Sequence, residues 1–301
     1  MGKGIVWKIR RKLQVIMYDL TSPEFVSKIY FKHMMGYPLN LDNPTMFNEK
    51  IQWLKLYEWP NNPLAIQCGD KYTVRAYLKK KGLDMYMNEL IGVWEKAEDL
   101  VWENLPDQFA LKVSNGCGEN IICEDKSKLD IKKAEKQLKK WLKEDFGKFN
   151  AEPHYSKMPA HIVCEKYLGG DMIDYKFVCF GGEVGYLNVT SHPNGSIVIA
   201  GFMADGQPAP FRRTGDAVFN ENAKLPKHFE EMKEISKRIA EDFLFVRVDW
   251  YEADGKIYIG ELTFTPNGGL GKIEPREYEK YLGDQIDLTE LMEKHKKNKR
   301  A

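Results

Sequence analysis

The stretch RVDWYEADGKIYIGELTFTPNGG, residues 247–269, decides the fold. Apolar residues alternate with polar ones on both sides of Ala253-Asp254-Gly255, the pattern of an antiparallel hairpin with one face against a core. With a three-residue turn and Gly255 left-handed, Asp249 falls opposite Ile259 and diagonal to Glu261, and Arg247 and Thr263 share that face. Val246, Val248, Trp250, Tyr258, Leu262 and Phe264 then form the core side. A two-residue turn breaks this geometry. Two carboxylates this close repel unless a positive charge lies between them. A hard cation such as Mg²⁺ answers that need, and so does a solvated face on which Arg247 pairs an acid. Spacing alone leaves both open.

Around the hairpin, 301 residues with 43% hydrophobic content suit one large domain or two modest ones with a real core. Lys plus Arg number 45 against 44 Asp plus Glu, so charge gives no argument for nucleic acid as a partner. The five cysteines, Cys68, Cys117, Cys123, Cys164 and Cys179, form no C-x-x-C pair, which argues against a disulfide framework or thiolate zinc and for a reducing cytoplasm. No apolar run approaches the roughly 20 residues that span a bilayer, and the N-terminus lacks a signal peptide's apolar segment.

Along the chain, Ile5, Ile9, Leu13, Ile16 and Leu20 recur at helical spacing among Lys8, Arg10, Arg11 and Lys12. This basic amphipathic helix either docks on an anionic membrane surface or packs on its own domain. GYPLNLDNPTMFNEK caps a helix over about 45–58 that WPNNP stops. GDKYTVRAYLKKKG is a short helix ended by Gly82, and LPDQFALKVSNGCGENIIC is strand, glycine loop, strand. Residues 126–145 form a charged surface helix. HIVCEKYLGG is a buried strand, DYKFVCFGGEVGYLNVT a hairpin turning at Gly181-Gly182, and 196–203 a further strand. Helices follow over 228–241 and 276–282, and the basic tail KHKKNKR is expected to be disordered. The order is α+β with mostly antiparallel sheets.

Several short motifs carry candidate chemistry. Backbone N–H groups of the SNGCGE loop, following Lys112, suit phosphate oxygens, although an ordinary turn explains the loop equally well and no G-K-[ST] follows. Cys117 has no nearby His to activate it, which argues against a thiol nucleophile. The backbone of EKYL (165–168) could meet a purine edge. Asp174 and Lys176 share a strand face, suited to a sugar hydroxyl and a phosphate or to an ion pair. Arg212 and Arg213 either grip an anionic substrate or are plain surface.

Taken in order, Asp70-Lys71 with Arg75, Lys112 to Gly118, E-K-Y-L, D-Y-K, R-V-D, E-L-T and T-P-N-G-G resemble the ATP-grasp superfamily over about 70–270. NPTMFNEKIQWLKLY followed by DKYTVR is similar to its TupA-like group, associated with teichuronopeptide and other surface-polysaccharide biosynthesis. The resemblance implies an ATP-grasp fold of two α+β lobes clamping a nucleotide, preceded by a helical segment. The expected divisions are a lead-in (1–63), an N-terminal part with the glycine-loop subdomain (64–168), a C-terminal lobe (169–290) and the tail (291–301). It assigns Lys71 and Lys112 to ATP phosphates, and the 114–119 loop, with Ser114, Gly116 and Gly118, to the lid over them. Glu165, Lys166, Tyr167 and Leu168 become the adenine linker, and Asp174 or Asp171 the ribose contact. Asp249 and Glu261 become Mg²⁺ carboxylates, and Arg247 steadies the reacting carboxylate. Two departures stand out. Lys176 replaces an arginine, and Thr263 replaces the asparagine of the usual E-x-N, with Asn267 as a substitute ligand.

The implied activity is an ATP- and Mg²⁺-dependent carboxylate–amine ligase that forms an amide through an acyl phosphate. It would join an amine or amino acid to a uronic acid or similar small-molecule or glycan carboxylate. The expected location is the cytoplasm, at the inner face of the membrane if the N-terminal helix docks there. A sugar kinase on the same fold, a nucleotide-sugar glycosyltransferase and a non-catalytic binding module are the rivals.

Overall fold

The computed structural model describes residues 2–300 apart from 171, 214–217 and 221. The chain opens with α1 (Gly2–Leu20) and α2 (Pro23–Met35). Ser22 caps α2, its hydroxyl accepting the Phe25 amide at 3.1 Å, and Pro23 occupies a first-turn position where a missing N–H is harmless. In α3 (Phe47–Trp53) the Glu49 carboxylate accepts the amides of Thr45 and Met46 at 2.9 and 3.1 Å. The helix does stop at WPNNP, where Asn62 is extended at φ −100° and ψ 104°, after two changes of pitch. A π turn (Leu54–Glu58) and a 3₁₀ turn (Trp59–Asn61) lead into α4 (Pro63–Gly69), because Pro63 sits where a helix starts and Asn62 caps it. Next comes α5 (Val74–Lys80), followed by Gly82 at φ 69°. The later helices are α6 (Ile131–Trp141), α7 (Phe229–Ala240), α8 (Glu277–Asp284) and α9 (Thr289–Arg300). The tail expected to be disordered is thus helical, and His295 anchors it 4.3 Å from the Tyr57 ring and 5.7 Å from Trp53. Among the described residues no helix is long and apolar enough to cross a membrane, and all five cysteines are free.

Two main sheets carry the fold among the described residues. The smaller joins β1 (Leu90–Trp94), β2 (Phe109–Val113), β3 (Asn120–Cys123) and β4 (Ile162–Lys166) in the antiparallel order β1-β4-β2-β3. The apolar stripe of α6 closes its core through Ala134 and Leu138. The larger contains β5 (Asp174–Phe180), β6 (Glu183–Ser191), β7 (Val198–Met203), β9 (Val218–Phe219), β10 (Phe245–Ala253) and β11 (Lys256–Thr263). Their order is β11-β10-β5-β6-β7-β9, with β9 parallel to β7. A two-stranded ribbon of β8 (Arg212–Arg213) and β12 (Ile273–Glu274) lies apart. One face of the large sheet packs on α7, where Phe229 stacks on Phe177 and Trp250 Nε1 donates to Ser236 Oγ at 2.9 Å. The lead-in belongs to this same core: Phe47 packs on Phe245 and Phe180 at 5.5 and 6.1 Å between ring centroids.

The decisive hairpin differs from its expected form at the turn. Ala253 pairs with Lys256, so Asp254-Gly255 is a two-residue turn with both φ values positive, 51° and 71°. A regular ladder from that turn would send Glu261 to the core face. A bulge restores it: Trp250 pairs with Ile259 and Asp249 with Glu261, leaving Gly260 extra. Asp249 is therefore directly opposite Glu261, not diagonal to it. The corrected register also moves Tyr258 off the core side to pair with Tyr251, and Ile257 and Ile259 are buried in its place. Position 260 needs glycine because a Cβ there would lie 2.3 Å from Tyr251 Cε2.

Candidate functional site

Strand pairing assembles the site on the large sheet's second face. Glu261, Asp249, Lys176 and Asn188 form one cross-strand row, and Thr263, Arg247, Val178 and Tyr186 form the next. Arg247 forks onto Asp249, with Nε to Oδ1 and Nη2 to Oδ2 both at 2.6 Å. The same Nη2 lies 3.0 Å from Thr263 Oγ1 and 3.4 Å from Glu261 Oε1. Thr263 donates to Glu261 at 3.2 Å. Burial pushes the Asp249 carboxyl up to about 6 against the pull of Arg247 and Lys176, which leaves it ionised at neutral pH. At Glu261 burial acts in the same sense, but Lys71, Arg247 and Lys176 outweigh it and hold the carboxyl below its ordinary range. Among the described residues no hydrogen bond joins the Asn267 side chain to either carboxylate, and Asn267 is exposed at φ 54°.

The glycine loop and α5's entry face this row. Lys71 Nζ lies 3.8 Å from Glu261 Oε2 and donates to the Gly116 carbonyl, and the Lys71 amide donates to Ser114 O at 3.1 Å. Gly116 is buried and Gly118 is exposed at φ 82°. Ser114 is fully buried, and its hydroxyl donates to Pro159 O at 3.3 Å and accepts the His161 amide at 3.1 Å. That side chain is committed to the loop's own structure. Arg11 of α1 reaches the loop's end, 3.2 Å from Glu119.

Between the sheets lies a cavity of about 120 Å³, lined by Lys112, Glu165, Tyr167, Leu168, Tyr251 and Tyr258 among others. This is well below the roughly 300–1,000 Å³ of pockets that enclose whole ligands, so it suits a ring and not a complete nucleotide. Lys112 pairs with Glu165 at 2.7 Å, and Arg75 approaches the other carboxylate oxygen at 3.5 Å. Asn88 Nδ2 donates to the Lys166 carbonyl at 2.8 Å, while the Lys166 side chain is exposed. Tyr167 OH donates to Glu124 at 2.7 Å. Asp174 and Lys176 pair with each other at 2.9 Å. Asp171 lies outside the described residues.

The loop after β11 is held from the lead-in. Gln52 donates to the Gly268 and Gly269 carbonyls at 2.8 and 3.0 Å. Asn48 donates to Gly271 O at 2.9 Å, and Lys55 to Gly268 O at 3.3 Å. Lys55 is 1% exposed, and burial pulls its pKa down to about 8 against Glu152. Residues 48, 52 and 55 thus form a polar stripe at helical spacing that faces inward.

Against known proteins, the sequence matches the family described as TupA-like ATPgrasp over residues 49–287. The chain belongs to the TupA-like ATP-grasp family. Among curated proteins no match to the sequence was found. Solved structures similar to this ATP-grasp chain include a D-alanine–D-alanine ligase from Bacillus anthracis complexed with ATP, at 18% identity and TM-score 0.44, covering 74% of this chain and 64% of that one. An L-amino acid ligase from Bacillus licheniformis gives 15%, TM-score 0.45, 83% and 57%. An ADP complex of N5-carboxyaminoimidazole ribonucleotide synthetase gives 15%, 0.44, 74% and 52%. This chain therefore spans about half to two thirds of their length.

In this ATP-grasp chain Tyr251, Asn88 and the stripe at Asn48, Gln52 and Lys55 carry no local motif that marks them, and Tyr258 falls on the core side in the register expected from the sequence. Tyr251 was within reach, being two residues beyond Asp249 on the same strand face. Tyr258 was hidden by the bulge.

Proposed function

We propose that the chain is an ATP- and Mg²⁺-dependent carboxylate–amine ligase. The observation that carries this is the row of Glu261, Asp249 and Lys176 beside Arg247, with Lys71 and the glycine loop facing it. Asp249 and Glu261 are hard oxygen donors that share one face. Among the described residues no cluster of three or more His, Cys, Asp or Glu exists, so the protein offers two carboxylates and leaves further positions to phosphate and water. This donor set fits Mg²⁺, held by Asp249 and Glu261, with Thr263 near enough to contribute. When bound, Mg²⁺ would neutralise phosphate charge. Lys71, Lys112 and Lys176 bind ATP phosphates, Gly116 and Gly118 give the loop its backbone freedom over them, and Glu165 through Leu168, with Tyr251 and Tyr258, hold the adenine. Asp174 takes the ribose.

In the reaction a substrate carboxylate oxygen, steadied by Arg247, bonds to the γ-phosphorus as the bond to ADP breaks. An amine nitrogen then bonds to the acyl carbon, phosphate leaves with the electron pair of the C–O bond, and the nitrogen gives a proton to solvent. Positioning and charge stabilisation suffice for both steps. The acceptor is a uronic acid or similar carboxylate, the amine an amino acid, and the setting surface-polysaccharide biosynthesis. The balanced charge of the chain supports small-molecule partners over nucleic acid. The test follows ADP and phosphate with pooled uronic acids and amino acids. Release should require both a carboxylate and an amine, and Asp249→Asn or Glu261→Gln should abolish it with the fold intact. Full activity in either variant would remove the metal assignment, and a phosphorylated sugar without amide would favour a kinase.

A separate observation supports work at the inner face of the cytoplasmic membrane. Ile9, Leu13, Ile16 and Leu20 are all at least half exposed along α1, and Arg10 and Lys12 beside them are exposed. An adjoining groove is rimmed by Arg11, Lys12, Lys140, Lys143 and Lys148, with Glu144 and Asp145 among them. An apolar stripe flanked by cations is the pattern of an interfacial helix. The protein should sediment with vesicles containing phosphatidylglycerol and not with pure phosphatidylcholine, and Leu13→Glu should abolish this. Equal sedimentation with both would refute the reading.

A further inference from the structure

Arg213 was open between an anion-gripping role and plain surface, and its surroundings favour the first. Its backbone is fixed in the β8–β12 ribbon opposite Ile273. Its guanidinium packs on Gly271, where a Cβ would stand 2.0 Å from Nη2 and 2.8 Å from Cζ, so the approach depends on glycine at that position. Phe211, two residues earlier, packs edge-on against Tyr186 at 5.1 Å between ring centroids, and from there the Arg213 charge acts on Tyr186 and Arg247. Those two residues share the cross-strand row that also holds Thr263. Gly260, Tyr251 and Tyr258 line the nucleotide cavity on the other side of the Asp249–Glu261 pair. Arg213 therefore stands at the end of the site farthest from that cavity.

The two arginines of this end differ in their partners. Arg247 is paired through Nε and Nη2 with Asp249, Glu261 and Thr263. The Nε and Nη2 atoms of Arg213 are buried with no hydrogen-bond partner among the described residues. Burial pulls the Arg213 pKa down and Arg247 acts in the same sense, but a guanidinium does not give up its proton in a protein. Arg213 keeps part of its surface in solvent, but two buried, idle donors in the field of a second cation are unfavourable unless an anion completes them. Two N–H donors on one edge of a planar fork match the two oxygens of a carboxylate or phosphate.

We propose that Arg213 seats an oxyanion of the substrate, a carboxylate or phosphate group, at the end of the site beyond Arg247. The proposal deepens the ligase reading and rests on it for the word substrate. It restricts the acceptor to molecules with an anionic group that reaches past the reacting centre, and it excludes neutral sugars and unmodified alkyl acids.

The test compares wild type with Arg213→Met and Arg213→Lys, using inorganic phosphate and acetate as probes and chloride of equal ionic strength as control. Melting is followed with AMP-PNP and Mg²⁺ present to fill the nucleotide's phosphate positions. Wild type should gain thermal stability with at least one probe over chloride, because a ligand bound only by the folded state stabilises it. The probe that does so distinguishes carboxylate from phosphate. Arg213→Met should lose that gain, Arg213→Lys should keep part of it, and without any probe Arg213→Met should melt no lower than wild type. AMP-PNP affinity should be the same in all three. An anion-induced gain that survives in Arg213→Met, or a probe-free melting point well below wild type, would overturn the proposal. A loss of AMP-PNP affinity confined to the variants would also overturn it, by moving Arg213 to the nucleotide. Failure of AMP-PNP to stabilise wild type would count against the ligase reading alone, since the probe series without nucleotide still tests Arg213.

Discussion

Two ion pairs of similar length stand at the two ends of the cleft in different surroundings. Lys112 and Glu165, 2.7 Å apart on the small sheet, leave 23% and 11% of their side chains exposed. Arg247 and Asp249, 2.6 Å apart on the large sheet, leave 8% and 3%. The first pair keeps more contact with solvent, and Glu165 has a second cation in Arg75 at 3.5 Å, so Lys112 can part from it without stranding a charge. The second is desolvated, so each charge depends on its partner, and the pair is a fixed part of the cleft floor. One end is adjustable and the other is set.

The largest expected effect comes from breaking the desolvated pair. Arg247→Met leaves Asp249 buried opposite Glu261, and urea denaturation should show a loss of about 3–5 kcal/mol. Adding Asp249→Asn should recover part of it. A loss within the range of an exposed pair would mean the two ends do not differ. Gly260→Ala probes the boundary between the ends, since a Cβ at 260 displaces the Tyr251 ring without touching the ion cluster. We expect a loss of about 1–3 kcal/mol, the usual range for overpacking, together with weaker nucleotide binding. An unchanged nucleotide affinity would show that Tyr251 takes no part in the cavity. The smallest stability effect belongs to Lys112→Met, within about 1 kcal/mol. Its nucleotide affinity should nonetheless fall roughly tenfold in a fluorescent-ADP titration, the equivalent of about 1.4 kcal/mol. A stability loss as large as that of Arg247→Met would erase the contrast.

Much of this site was legible because strand parity is a strict code. Arg247, Asp249 and Tyr251 must share a face, as must Glu261 and Thr263. Which residue of β11 meets Asp249 was not legible, because it depends on an extra residue accommodated against a ring on the neighbouring strand. Polar residues gave the least warning. Lys55, Gln52 and Asn48 look like the wet side of an amphipathic helix until their carbonyl partners are known. Arg213 looks like a loop arginine until its buried Nε and Nη2 are seen. The helical tail likewise depends on Trp53 and Tyr57, far away in sequence, and local composition says nothing of them.

The inward polar stripe of α3 and the π turn after it also bears on how the chain is made. Gln52 and Lys55 find their carbonyl partners 216 and 213 residues later, and Lys50 donates to Ile286 O, 236 residues away. During synthesis the lead-in leaves the ribosome long before the groups that complete it. Contacts of such long sequence separation are slow to form. A segment translated well before its partners is thus among the last to acquire its native contacts.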